Sequence, residues 1–159
     1  MDGDLSTDEG VERIVSQVEA AFGPVEILVN NYGAPGQSDW TTPADAWTDG
    51  WERNVLTAVR LTQRVLPSMR AAGFGRVVFL GTVGTERPSD RNPDYYSAKA
   101  ALPVLVRTLA KDLRGTGVTA NLVSPGMIAT AEVRDGISRR AAREGIEGWE
   151  AAQLWALRS

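Results

Sequence analysis

The sequence predicts an α/β fold: a parallel sheet of three strands with helices on both faces. Three observations predict it. Short apolar runs, Val25–Val29, Arg76–Leu80 and Val118–Val123, have the length and content of strands buried on both sides. Stretches with helical periodicity lie between them and are long enough to serve as crossovers joining parallel neighbours. Each strand run ends in small or amide residues: Asn30-Asn31-Tyr32-Gly33, then Gly81 to Gly84, then Ser124-Pro125-Gly126. In sheets of this kind ligands bind beyond the carboxyl ends of the strands, where small residues let backbone approach closely.

The elements follow in order. Ser6-Thr7-Asp8-Glu9 reads as a capping box with Ser6 as N-cap and Glu9 at the third helical position. Val11, Ile14, Val15, Val18 and Phe22 then recur at helical spacing, and Gly23-Pro24 stops the helix. After the first strand, Thr42 reads as the cap of a second helix with Pro43 at its first position. A longer helix is expected from Trp51 to Ala72, with Pro67 kinking it or marking its last turn. Gly73 to Gly75 turns into the second strand, and Gly81 to Pro93 is a polar loop. Pro93 to Leu113 forms the next helix, closed by Gly115 to Gly117 before the third strand. From Ala131 onward the chain reads as helical, charged and weakly periodic, with Trp149 and Trp155 as packing anchors.

Composition narrows the chemistry. The 159 residues fit one domain, and an apolar fraction of 43% is enough for a sizeable core. Net charge is −3 with both signs interspersed, so no basic patch points to nucleic acid. Cysteine and histidine are both absent. There is then no disulfide or thiolate site, and the commonest general base and metal ligand is missing, so no metal is expected. No apolar run reaches the roughly 18 residues that span a bilayer. The acidic N-terminus carries no signal-peptide pattern, and a cytoplasmic protein is expected.

Acid–base chemistry must therefore come from Tyr, Lys, Asp or Glu. Tyr95 and Lys99, four residues apart, share one helix face. An ammonium beside a phenol favours the phenolate, so the Tyr95 pKa is expected to fall from about 10. Such a tyrosine exchanges a proton near neutral pH, as interconverting a carbonyl and an alcohol requires. Arg134, Arg139, Arg140 and Arg143 offer attraction for an acidic substrate, although a solvated helix face is the stronger reading.

Taken together these segments resemble the short-chain dehydrogenase/reductase family, from about Asp4 to Thr130. Asn30-Asn31-Tyr32-Gly33 resembles its Asn-Asn-Ala-Gly motif, and Tyr95 with Lys99 matches its Tyr-x-x-x-Lys pair. Asn54 resembles the helix asparagine of its catalytic tetrad. Pro125-Gly126-Met127-Ile128-Ala129-Thr130 matches the Pro-Gly-x-Ile-x-Thr segment that closes over the nicotinamide, and Asp4-Leu5 resembles the pair that contacts adenine. The loop text is most similar to 3-oxoacyl-carrier-protein reductase-like members.

The resemblance implies a Rossmann-type doubly wound sheet, an NAD or NADP cofactor and a small carbonyl or alcohol substrate. It implies catalytic roles for Asn54, Thr82, Tyr95 and Lys99. Tyr95 would be the acid–base residue, and Lys99 would lower its pKa and bind the ribose hydroxyls. Asn54 would hold a water linking Lys99 to solvent. Cofactor contacts would come from Asp4, Leu5, Asn30, Asn31 and Gly33, from Tyr95 and Lys99, and from Pro125, Gly126, Ile128 and Thr130. The long helices at 51–72 and 93–113 would pair protomers into a homo-oligomer, or into a hetero-oligomer with a full-length relative.

Three departures from the family pattern are visible. Thr82 stands where the family has its catalytic serine; it keeps a hydroxyl but adds a methyl that restricts the rotamer. Tyr32 replaces a small residue, which predicts a ring that crowds the cofactor or turns outward. Family members run to about 250 residues as one domain. By that pattern this chain is an incomplete domain, lacking the first strands with their glycine-rich phosphate loop and the final strand. The core would be 4–130, with 131–159 a partial substrate region. The segment that selects NAD or NADP would be absent with those strands. A three-strand core with two open edges is expected to be marginal or self-associating. Beside an oxidoreductase, two alternatives stand: a non-catalytic protein that pairs through its two long helices, and a decayed remnant.

Overall fold

The computed structural model describes residues 3–156, with the side chain of Trp155 excluded. The chain separates into two compact units, one ending at Pro125 and one beginning at Gly126.

The first unit holds a three-stranded parallel sheet in the order β1-β2-β3. Strand β1 spans Ile27–Asn30, β2 Gly75–Leu80 and β3 Val118–Val123. Ile27 pairs with Arg76 and Asn30 with Phe79; Gly75 pairs with Val118 and Leu80 with Val123. The register brings all three carboxyl ends to one edge. Helix α1 (Asp8–Phe22) precedes β1. The β1–β2 crossover is α2 (Ala44–Trp51), a π-helical segment (Glu52–Leu56) and α3 (Thr57–Ala72) in unbroken succession. A 3-10 turn (Val83–Thr85) and α4 (Pro93–Asp112) connect β2 to β3.

Local chemistry departs from expectation at the caps. Thr7, not Ser6, caps α1, its Oγ1 accepting from Gly10 N at 3.1 Å. Ser6 is already committed to Asp4, whose Oδ1 accepts from both its N (2.9 Å) and its Oγ (2.6 Å). Thr42 does not cap α2 either. Its Oγ1 accepts from Asp39 N at 2.9 Å in a closed turn, and Pro43 occupies the cap position without a side-chain bond. Pro67 does not mark the end of α3, which runs on to Ala72.

The core explains why the strand runs are apolar. Val77 and Phe79 share one face of β2 and are buried there among Val11 and Val15 of α1, Val65 and Met69 of α3, and Ala98, Leu102 and Val106 of α4. Burial alternates along β2 and β3, so in this unit the helices cover one face of the sheet, not both as expected. Arg64 on α3 meets Glu12 and Glu19 of α1, and Arg60 meets Asp8 and Glu52. Partly exposed pairs of this kind contribute about 0–1 kcal/mol each, so they set register more than stability. On the uncovered face, Ile27 of β1 is 60% and Val29 54% exposed.

The second unit holds α5 (Ala131–Ala142) and α6 (Trp149–Ala156). Ile137, Ala141 and Ala152 form its small core, with Trp149 packed against it as anticipated. Trp155, the other expected anchor, lies outside the described side chains.

Phe79 is the largest fully buried side chain and sits on the central strand. Phe79→Ala is expected to cost about 3–5 kcal/mol, out of a total of about 5–15 kcal/mol for a typical domain. A fall of that size in the urea-unfolding free energy checks it; a change below about 1 kcal/mol would show that the core does not close around β2.

Candidate active site

The site grows from the first turns of α4. Pro93 opens the helix with its φ already helical and no N–H to satisfy. Tyr95 and Lys99 follow on the side facing the sheet. Lys99 is 6% exposed, and its Nζ donates to the carbonyl of Leu80, the last residue of β2, at 2.8 Å. Its ammonium therefore lies at the carboxyl end of the central strand. Burial pushes the Lys99 pKa down.

Tyr95 corrects the expectation of a lowered phenol pKa. Burial pushes it up and the neighbouring Tyr96 adds to this, while hydrogen bonding with Thr82 pulls the other way. The two rings meet edge to face, centroids 5.3 Å apart. Lys99 does not figure among the influences on the phenol. One of its three donors goes to the Leu80 carbonyl, and desolvation acts on both groups in the direction that disfavours charge.

Thr82 sits just past β2 in extended conformation. Its Oγ1 accepts from Gly84 N at 3.1 Å, which opens the 3-10 turn and fixes the hydroxyl on the Tyr95 side.

Asn54 lies in the middle of the π-helical segment, a local widening of the helix that recurs at functional sites. Its Nδ2 donates to Ala34 O at 3.1 Å and Gly50 O at 2.9 Å. Its Oδ1 is buried and has no hydrogen-bond partner among the described residues. Gly33 closes the group. Its φ of +146° is one that side chains avoid. A Cβ there would lie 2.7 Å from Asn54 Oδ1 and 3.2 Å from Lys99 Nζ. An unsatisfied acceptor, a buried ammonium and a bare stretch of backbone thus converge beyond the strand tips. This fits a hydroxyl-rich ligand that both accepts and donates hydrogen bonds.

At the tip of β1, Asn30 is buried. Its Nδ2 donates to Thr62 Oγ1 at 3.1 Å, and its Oδ1 has no partner among the described residues. Asn31 is exposed. Asp4, Leu5, Tyr32 and Arg53 line a cleft of about 360 Å³. Hydrogen bonds from Ser6 hold the Asp4 carboxyl below the usual range. The Tyr32 ring is exposed and stands on the wall of this cleft.

Pro125 ends the first unit, its carbonyl accepting from Val83 N at 3.1 Å. Gly126, Ile128 and Thr130 belong to the second unit. Ile128 is exposed, and Thr130 caps α5 through its Oγ1. Arg134 lies 5.0 Å from the centroid of Trp149, so this member of the arginine cluster serves packing.

Sequence reading passed over a group beside the site. Asp94, one residue before Tyr95, is 5% exposed, and its Oδ1 accepts from Ser38 Oγ. Its signal is faint: an acidic residue between proline and tyrosine, with Gly36, Ser38 and Gly50 small enough to surround a carboxylate.

A parallel α/β sheet with a Tyr-x-x-x-Lys pair at its carboxyl edge defines a class of nucleotide-dependent oxidoreductases, and comparison with known proteins makes that class definite. The family described as short chain dehydrogenase matches residues 1–141. The 3-oxoacyl-(acyl-carrier-protein) reductase MabA of Mycobacterium avium is 34% identical over 132 residues, 82% of this chain and 52% of that protein. The corresponding reductase FabG of Escherichia coli is 32% identical over 125 residues, 78% of this chain and 51% of its own. The L-sorbose reductase of Gluconobacter frateurii, solved with NADPH and L-sorbose, superposes with a TM-score of 0.79 at 31% identity, covering 92% of this chain and 56% of its own. The chain belongs to the short-chain dehydrogenase/reductase family. It spans about half the length of the curated relatives it matches.

The raised Tyr95 pKa has a consequence for stability. A folded value above the unfolded 10.0 means that the contribution is intact below pH 10 and is lost as pH climbs through the folded pKa. Tyr95→Phe removes that titration and leaves Lys99 in place. The stability difference between wild type and variant should stay flat to about pH 10 and then move in favour of the variant. Denaturant melts from pH 8 to 11 measure it, and parallel profiles throughout would contradict the shift.

Proposed function

We propose that this chain carries the catalytic portion of an NAD(P)-dependent oxidoreductase that acts on a carbonyl or a secondary alcohol. The observation that carries this reading is the convergence of Gly33, Asn54 and Lys99 at the strand tips beside Tyr95 and Thr82. A bound nicotinamide would supply or accept the hydride. The phenol of Tyr95, kept neutral by burial, would donate a proton to the substrate oxygen in the reductive direction. The Thr82 hydroxyl would share that oxygen and orient it. Lys99 Nζ would hold ribose hydroxyls beside Gly33, and Asn54 Oδ1 would accept from a water that returns protons toward Tyr95. Asp4, Leu5, Asn30 and Asn31 would contact the adenosine half of the cofactor. Pro125, Gly126, Ile128 and Thr130 would contact the nicotinamide half.

Membership of the family and the named relatives support a small-molecule carbonyl or alcohol as substrate; a reductase of 3-oxoacyl groups and a reductase of L-sorbose are both among them. Among the described residues no helix is long and apolar enough to cross a membrane, in keeping with the cytoplasmic role we assign. We assign no metal, membrane or nucleic-acid role.

Titration with NADH and NADPH, followed by nicotinamide fluorescence, is expected to show saturable micromolar binding. Where turnover follows, Tyr95→Phe should lower it by about 10²–10⁴-fold while cofactor affinity stays near wild type. Absence of binding at millimolar cofactor would remove the oxidoreductase reading.

One observation favours a second reading, a protein that pairs through its long helices with or without turnover. A groove of about 310 Å³ runs between α3 and α4, lined by Val59, Leu66, Leu105 and Leu109 among others. A second copy or a full-length relative would fill it. Leu105→Glu is expected to shift the protein to monomer in analytical ultracentrifugation while helical circular dichroism is kept. An unchanged sedimentation coefficient would exclude this groove as the contact.

A further inference from the structure

The buried carboxylate of Asp94 has no place in the mechanism above, yet three segments meet on it. Its Oδ1 accepts from Ser38 Oγ, in the loop that leaves β1. That loop is fastened to the same helix end a second time: Ser38 N donates to Asn92 Oδ1 at 3.3 Å, and Asn92 N donates to Ser38 O at 2.9 Å. Asn92 adopts φ +56° to do so, the one positive φ at a non-glycine position among the described residues. Asp94 Oδ2 faces α2 at Gly50, where a Cβ would collide with it. Gly50 is buried, and its carbonyl is one of the two that hold Asn54 Nδ2. The other, Ala34 O, belongs to the loop that Ser38 anchors.

We infer that Asp94 is a positioning residue: it clamps the β1 loop and the end of α2 onto the first turn of α4, so fixing Asn54 relative to Tyr95. The inference rests on the catalytic reading of Tyr95 and Asn54, but the geometry that carries it is independent of cofactor. No lysine or arginine pairs with Asp94 among the described residues. A buried carboxylate without a cationic partner is costly to keep. Holding three backbone segments at one point is a use that matches the cost. A general structural role would loosen the whole unit when Asp94 is lost. A positioning role loosens the loop, the π-helical segment and Tyr95, and leaves β2 and β3 as they were. Asparagine keeps an Oδ1 that accepts from Ser38 Oγ and a shape that fits against Gly50, so it should preserve the clamp.

The test uses the full chain labelled with 3-fluorotyrosine, whose three resonances are assigned by single Tyr→Phe variants, together with amide hydrogen exchange. Asp94→Ala is expected to broaden or shift the Tyr95 fluorine line and to speed exchange about tenfold over residues 33–42 and 50–56, with β2 and β3 unchanged; Asp94→Asn should match wild type. Ser38→Ala removes only the hydroxyl and should reproduce the local effect, and it decides the matter if Asp94→Ala does not fold. Three outcomes overturn the proposal: an unmoved Tyr95 line in both Asp94→Ala and Ser38→Ala, a loss in Asp94→Asn equal to that in Asp94→Ala, or uniform acceleration that includes β2 and β3. NADPH titration of the same variants judges the catalytic reading separately. Wild type that shows the clamp but binds no cofactor would sink that reading and leave the clamp standing.

Discussion

The site depends on one bond, the donation from Lys99 Nζ to the Leu80 carbonyl at 2.8 Å. An ammonium that is 6% exposed has lost most of its hydration, and no carboxylate pairs with it among the described residues. Placing a charge there costs several kcal/mol unless hydrogen bonds offset it. A single carbonyl offsets part of that, leaving Nζ with donor capacity beside Gly33 and Asn54. A hydrophobic residue of similar volume would pack at lower cost. The ammonium is therefore explained by what it can still bind rather than by what it already holds.

The same helix serves core and site, and this couples them. Ala98, Leu102 and Val106 of α4 are buried against the sheet, while Tyr95 and Lys99 lie in the first two turns of the same helix, with Lys99 reaching the end of β2. A parallel sheet makes the arrangement natural. Its strands all end at one edge, and the helix that returns from that edge begins there. The π-helical segment does the equivalent for Asn54. It widens the helix by one residue per turn, leaving Asn54 Nδ2 to satisfy two carbonyls while Oδ1 stays free. Neither device adds an element to the fold; each re-aims a side chain of an element that packing already requires.

Much of this was legible in the sequence because it follows from hydrophobic period. Strand β3 falls on the apolar run Val118–Val123, and β1 and β2 differ from their runs by one or two residues at the ends. The four-residue spacing of Tyr95 and Lys99 was legible for the same reason. What escaped was set by competition between local hydrogen bonds. Ser6 and Thr42 each have capping chemistry, but each is held by a nearby aspartate, so the cap moved by one residue. The π-helical segment has no periodic signature over five residues. Asp94 was opaque for a related reason. Pairing across 56 positions to Ser38 leaves no local trace in the sequence.

The Tyr95 pKa was misjudged because spacing reports proximity and says nothing of solvation. Two groups four residues apart share a face, but at that face both are half-buried or buried, and desolvation acts on each before either acts on the other. The result is a neutral phenol beside an ammonium whose own pKa is depressed. In the function we propose, that pairing would favour proton donation over proton abstraction. A phenol kept protonated is ready to quench the charge that develops on a carbonyl oxygen as hydride arrives, whereas oxidation of an alcohol needs the phenolate first. A positive charge placed near Tyr95 would shift its balance toward the phenolate.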